Sequence, residues 1–194
     1  MSDLHCPVTL LVVRHAHARA QPGDGAGVGP RLTDRGRVQA TVLADQLSGR
    51  RVAAVMTSPL TRAVETGAVV ADRLTVRATV VPELREFDLG ELAGAALDDP
   101  RLEAVLDSWT AEDLDVRPPG GEAGQTVVDR VRRAADQLAD RFRGETVLVV
   151  SHSGILALGL PSLTGAAPWP WHPAIPHCVP FELIGDADGW RLAT

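Results

Sequence analysis

Two cysteines, Cys6 and Cys178, stand far apart in 194 residues. Their spacing suggests neither a disulfide framework nor a cysteine-ligated metal site. Long apolar runs are missing too. A bilayer span needs about 20 consecutive apolar residues, and the longest stretch here, Gly154 to Leu160, falls far short. Positive charge is in deficit: 19 Lys and Arg face 25 Asp and Glu, for a formal net charge of −6. This argues against nucleic acid or an anionic membrane as the main partner. A small anion stays open, because a few local arginines can reverse the field inside a cleft. No repeat and no low-complexity tract is visible. Few cysteines and no signal-peptide pattern make a reducing cytoplasm the expected location. The 45% apolar content is enough for a substantial core, and the length predicts a single domain over 1–194.

What is present alternates between two periods. Val8 to Val13 is β-rich and almost continuously apolar, the pattern of a strand buried on both faces in a parallel sheet. A Gly/Pro-rich loop follows, from about Gln21 to Pro30. Thr33 is placed to cap a helix to about Leu47, with Val38, Val42, Leu43 and Leu47 on one side. Val52 to Thr57 predicts a second strand. Ser58-Pro59 reads as a helix start, with Leu60, Val64, Ala68 and Ala71 recurring after it. Ala78 to Val81 predicts a third strand. Residues 83–120 are less regular, with one amphipathic helix marked by Leu102, Val105, Leu106 and Trp109. Thr126 is placed to cap a helix lined by Val127, Val131, Ala134, Leu138 and Phe142, ended by Gly144. Thr146 to Val150 predicts a further buried strand, and Val179 to Ile184 and Trp190 to Leu192 two more. The alternation predicts a three-layer α/β/α sandwich with a mainly parallel sheet and a small helical excursion over 83–120.

Two of these strands end in histidines, His15 and His152. In open α/β sheets the ligand crevice lies beyond the carboxyl ends of the strands, so both imidazoles can reach one pocket. Arg14 adjoins the first, and Arg62 follows another strand end. Guanidinium forks bind phosphoryl oxygens bidentately and stabilise their charge during transfer. A neutral imidazole can act as nucleophile. If a helix starts after His152, its free N–H groups could assist.

Six blocks then occur in order over roughly 8–155. They are Leu11-Val12-Val13-Arg14-His15-Ala16; Leu32 to Ala40; Ser58-Pro59-Leu60-Thr61-Arg62-Ala63-Val64-Glu65-Thr66; Leu84-Arg85-Glu86-Phe87-Asp88-Leu89-Gly90; Pro119-Gly120-Gly121-Glu122; and Val150-Ser151-His152. Together they resemble the histidine phosphatase (phosphoglycerate mutase-like) superfamily, with the small bacterial phosphatases as the nearer branch. The resemblance implies hydrolysis of a phosphomonoester through a phosphohistidine on His15. It implies that Arg14, Arg62 and His152 hold the phosphoryl group and that Glu86 serves as acid and then base. It implies no metal or organic cofactor, and a small phosphorylated molecule or a phosphoprotein as partner. Ala16 and Ser153 stand where the family commonly has glycine. The mutases' glutamate–serine type segment is replaced by His17-Ala18-Arg19, which favours a phosphatase over a phosphomutase.

Several residues keep two readings. Glu83 and Asp88 compete with Glu86 as the acid. The Ser153 hydroxyl could touch phosphate or only shape the turn. His17 could contact substrate or have no role. Ser58 reads as a helix cap before a phosphate ligand. A phosphate-dependent binding module without catalysis is the other class of function. His15-Ala16-His17 also invites a metal, but adjacent Arg14 would repel a cation, and His5, His172 and His177 add no ligand spacing. Trp109, Trp169, Trp171 and Trp190 read as packing residues, Trp169 and Trp171 near a pocket rim. Substrate selection is expected in loops 16–31 and 83–120 and around 168–178.

Overall fold

The computed structural model describes residues 6–19, 29–96, 98–171 and 175–193. Its strands are β1 (Val8–Arg14), β2 (Ala18–Arg19), β3 (Arg31–Leu32), β4 (Val52–Thr57), β5 (Arg77–Val80), β6 (Thr146–Ser151), β7 (Phe181–Asp186) and β8 (Gly189–Leu192). Its helices are α1 (Asp34–Leu47), α2 (Thr61–Leu74), α3 (Pro100–Thr110), α4 (Gly124–Arg141) and α5 (Ser153–Thr164). Six strands form one sheet in the order β5-β4-β6-β1-β7-β8, while β2 and β3 pair separately. The pairs among β5, β4, β6 and β1 are parallel, and β7 runs antiparallel to β1 and β8.

Both faces of the central strands are buried, as their unbroken apolar runs require. Leu11, Val13, Val55, Leu148 and Val150 pack against Ala40, Leu43, Ala44 and Leu47 of α1 and Ala63, Val70 and Ala71 of α2. Leu10, Val12, Met56, Val147 and Val149 pack on the other face against α4 and α5. The result is three layers, α/β/α, as expected. The excursion forms a satellite core in which Leu102, Val105, Leu106 and Trp109 of α3 meet Val127, Val131, Ile155 and Leu158.

Three helical expectations need correction. Val38 and Val42 are 62% and 47% exposed, and α1 buries Gly36, Ala40, Leu43, Ala44 and Leu47 instead. A Cβ at Gly36 would stand 2.1 Å from the His17 carbonyl oxygen, so small residues set this face by close approach. Helix α2 begins at Thr61, not at Ser58-Pro59, and buries Ala63, Thr66, Gly67, Val70 and Ala71. Helix α4 begins at Gly124 with no side-chain cap, so Thr126 lies inside its first turn. Thr33 does cap α1, its hydroxyl accepting from Gly36 N at 3.1 Å. Strand β5 sits one residue earlier than expected and β7 begins two residues later. Most of the Gln21–Pro30 loop lies outside the described residues. Cys6 is exposed and Cys178 buried, both as free thiols.

The register brings the carboxyl ends of the parallel strands level. Arg14 pairs with Ser151 and Thr57 with Val150. After β1 the chain crosses to the α1 face; after adjacent β6 it crosses to the α5 face. Such a divergence opens a crevice at the strand ends.

Candidate active site

His15 leaves β1 at this crevice and is 7% exposed. Its Nδ1 lies 2.7 Å from the Ala16 carbonyl oxygen, which accepts only from a protonated nitrogen, so Nε2 keeps its lone pair. Arg62 Nε donates to that Nε2 at 3.1 Å. Burial, helped by the charges of Arg62 and Arg14, holds the His15 pKa down at about 3, against the raising effect of the Ala16 bond. His15 is therefore neutral at physiological pH.

Thr66 ties α2 to this loop, accepting from Ala16 N at 3.0 Å and donating to the Arg62 carbonyl at 2.6 Å. Arg14 Nη1 donates to the Ile175 carbonyl at 2.8 Å. His152 is 1% exposed, with its ring centroid 5.2 Å from that of His15. Burial and the neighbouring charge of Arg62 push its pKa down to about 2. Its Nε2 shares a 2.7 Å hydrogen bond with Ser58 Oγ. Among the described residues, the buried side-chain nitrogens without a partner are Arg14 Nε and His152 Nδ1. Buried polar atoms are nearly always paired, so two orphans beside one histidine mark a place built for an acceptor.

Glu86 accepts from the backbone N–H groups of Phe87 at 3.1 Å, Gly154 at 3.0 Å and Ile155 at 2.9 Å. Burial raises its pKa above the ordinary carboxylate value, against those hydrogen bonds and the pull of Arg62. The Gly154 and Ile155 N–H groups at the start of α5, expected to be free for phosphate, are thus taken by Glu86. A Cβ on Gly154 would lie 2.2 Å from Phe87 Cε1 and 2.6 Å from Glu86 Oε1, so glycine is what lets the carboxylate reach this helix end. Asp88 turns away to accept from Gly90 N at 2.9 Å, and Glu83 contributes its carbonyl to Arg130.

A buried ion pair holds the loop that carries Glu86. Arg130 donates to both Glu122 oxygens, at 2.8 and 3.1 Å, and to the Glu83 and Arg85 carbonyls. Ser151 Oγ donates to the Leu84 carbonyl at 2.9 Å. The Pro119-Gly120-Gly121-Glu122 block therefore acts through the loop rather than on a ligand.

His15, Arg14, Arg62, His152 and Glu86 are brought together. Ser153 sits at the start of α5 and lines a chamber beside Glu86. His17 stands farther out, with Nδ1 2.8 Å from Thr33 Oγ1 and its ring 5.8 Å from that of His177. Ser58, read as a cap, belongs to the site: β4 ends beside β6, and the same strand-end reasoning that found His15 would have found it. His177 gave no signal in the sequence. Its Nδ1 contacts the His15 carbonyl at 2.6 Å, and only the return of the chain to pair with β1 puts it there. Trp171 lines the chamber, whereas Trp169 packs on Phe181 at 4.9 Å. No group of three or more side chains suited to a metal ion occurs among the described residues.

Fold and site define an α/β protein with arginines and histidines gathered at the carboxyl edge of its sheet. Residues 10–194 match the model of the histidine phosphatase superfamily, branch 1, and the chain belongs to that superfamily. A protein named phosphoserine phosphatase 1 from Hydrogenobacter thermophilus is 31% identical over 150 residues, covering 75% of this chain and 71% of that protein. A bifunctional protein of Mycobacterium tuberculosis is 37% identical over 157 residues, covering 75% of this chain and 41% of that protein. The chain thus spans about two-fifths of the first curated relatives it matches. The solved structure of a mycobacterial glucosyl-3-phosphoglycerate phosphatase superposes with a TM-score of 0.76 at 27% identity, covering 96% of this chain and 97% of that one.

Proposed function

We propose that the protein is a metal-independent phosphatase that hydrolyses phosphomonoesters through a phosphohistidine on His15. The observation that carries this reading is the state of His15: buried, neutral, its Nδ1 proton committed to Ala16, and its Nε2 lone pair facing Arg62. Nε2 attacks phosphorus while the ester P–O bond breaks. Glu86, protonated in this step, gives its proton to the leaving oxygen. A water then loses a proton to Glu86 and attacks phosphorus, the N–P bond breaks, and phosphate leaves with His15 neutral again. The raised pKa of Glu86 suits both halves of this cycle.

Arg14 and Arg62 supply the fixed positive charge that the phosphoryl oxygens need. In the tautomer with the His152 proton on Nδ1, Ser58 donates to Nε2 and the orphan nitrogen becomes a donor to the same oxygens. Ser153 and His17 stand at the border, Ser153 toward the leaving group and His17 toward the outer rim. A small phosphorylated molecule in the cytoplasm fits this reading. The matched relatives are named for different substrates, so their names support the reaction class and not one ester.

The test is phosphate release from a panel of phosphomonoesters with chelator present, comparing wild type with His15→Ala. Chelator-resistant release that disappears in the variant is the expected result. Release that survives in His15→Ala, or that chelator abolishes, overturns the proposal.

A further inference from the structure

Beside Glu86 lies a chamber of about 170 Å³, lined also by Ile175, whose carbonyl accepts from Arg14 Nη1 at 2.8 Å. Its apolar walls are Phe87, Leu89, Leu102, Leu106, Trp171 and Ile175. Three aromatic rings brace one side. Phe87 stands edge-on to Trp109 at 5.1 Å and to Trp171 at 6.1 Å. The indole N–H of Trp171 is spent on the Leu106 carbonyl and Thr110 Oγ1, at 3.0 and 2.9 Å. That of Trp109 goes to the Val116 carbonyl at 2.8 Å. Neither indole offers the chamber a donor. Among the described residues, the polar side chains on its wall are Glu86 and Ser153, and the lining includes no arginine, lysine or histidine.

Resting on the phosphatase reading, we infer that the substrates are phosphate monoesters of apolar alcohols, whose organic part is one aromatic ring or a branched chain of similar bulk. Glu86 protonates the leaving oxygen and lines the chamber, so the group attached to that oxygen lies against these walls. An apolar cavity of ~150 Å³ holds one benzene ring, which sets the size of the occupant. A leaving group carrying a carboxylate, as in phosphoserine or a phosphoglycerate, would be buried there beside the Glu86 carboxyl and without a cationic partner among the described residues, at a large desolvation cost.

The test compares kcat/KM for 2-phenylethyl phosphate, glycerol 1-phosphate and phosphoserine, all of which release a primary alcohol. One methylene in an apolar pocket discriminates ~10- to 200-fold, so 2-phenylethyl phosphate is expected to lead by ~10²-fold or more. Trp171→Ala should cut that lead at least ~10-fold, and Trp171→Phe should keep most of it. Equal or better use of glycerol 1-phosphate or phosphoserine overturns the inference, as does a lead that Trp171→Ala leaves intact. Calorimetry on the non-hydrolysable 2-phenylethyl and glycerol phosphonates asks the same question without chemistry. Tighter binding of the phenylethyl phosphonate with no ester turned over would sink the phosphatase reading and leave only the chamber's preference for an apolar group. Equal binding of the two phosphonates sinks the inference itself.

Discussion

At the scale of single residues, the site separates two jobs by environment. Burial keeps His15 unprotonated down to about pH 3, so under the proposed mechanism its protonation should not set the acid limb of the pH–rate profile. Burial moves Glu86 the other way, keeping its proton above the ordinary carboxylate range. The base limb of kcat/KM should therefore follow loss of the Glu86 proton, and Glu86→Gln should abolish that limb. Acid–base help is typically worth ~10²–10⁴-fold. Glu86→Gln is expected to slow alkyl phosphates by that range and a nitrophenyl phosphate far less, since nitrophenolate leaves without a proton. Equal losses on both esters, measured as kcat/KM, would show that Glu86 is not the acid.

At the scale of elements, the site depends on how loops are pinned to helices. Gly154→Ala puts a methyl group into Phe87 and the Glu86 carboxylate. Overpacking of this kind costs about 1–3 kcal/mol. The variant should also share the leaving-group dependence of Glu86→Gln, because the acid is displaced. Arg130→Met leaves Glu122, which is 9% exposed, with only the longer contacts of Arg85 Nη2 and Asp88 N, both at 3.4 Å, and removes two hydrogen bonds from the Glu86 loop. Breaking a buried pair by removing one partner costs about 3–5 kcal/mol. Denaturant unfolding should show that loss, and Glu122→Met added to Arg130→Met should recover part of it. A double variant no more stable than Arg130→Met alone would mean that the lost carbonyl bonds, not the stranded charge, dominate.

Where side chains are large the sequence was a good guide to these elements. Leu102, Val105, Leu106 and Trp109 mark α3, and all four are buried. The continuous apolar runs of β1 and β6 likewise announced parallel central strands. Small residues guide less well: α1 and α2 pack largely through alanine, glycine and threonine, which carry little hydrophobic signal, while Val38 and Val42 face solvent. Ser58-Pro59 has the composition of a helix start, but the serine is drawn into the site by strand pairing, a non-local fact. The capture of the α5 N-terminus by Glu86 was equally hidden, since it joins positions 68 residues apart.

At the scale of the whole molecule, two buried neutral histidines make the fold acid-sensitive. Both have pKa values below their ordinary 6.5 in the native state, near 3 for His15 and near 2 for His152. Between those values and 6.5 the unfolded chain binds more protons than the native one, so stability falls as pH falls through that window. The slope approaches about 1.4 kcal/mol per pH unit for each histidine. Urea unfolding from pH 8 to 4 should show stability level above 7 and declining below 6.5, with a shallower decline in His152→Gln. An identical slope in that variant would mean that other groups dominate the acid response.

The central claim is that phosphate passes through His15. The most direct measurement is rapid quenching of the enzyme with phosphate-labelled 2-phenylethyl phosphate or an activated aryl phosphate, followed by mass spectrometry of the digested chain. The account predicts a phosphoryl group on the peptide containing His15, lost in acid and stable in base, and absent from His15→Ala. Turnover with no such adduct, or an adduct on another residue, would contradict it.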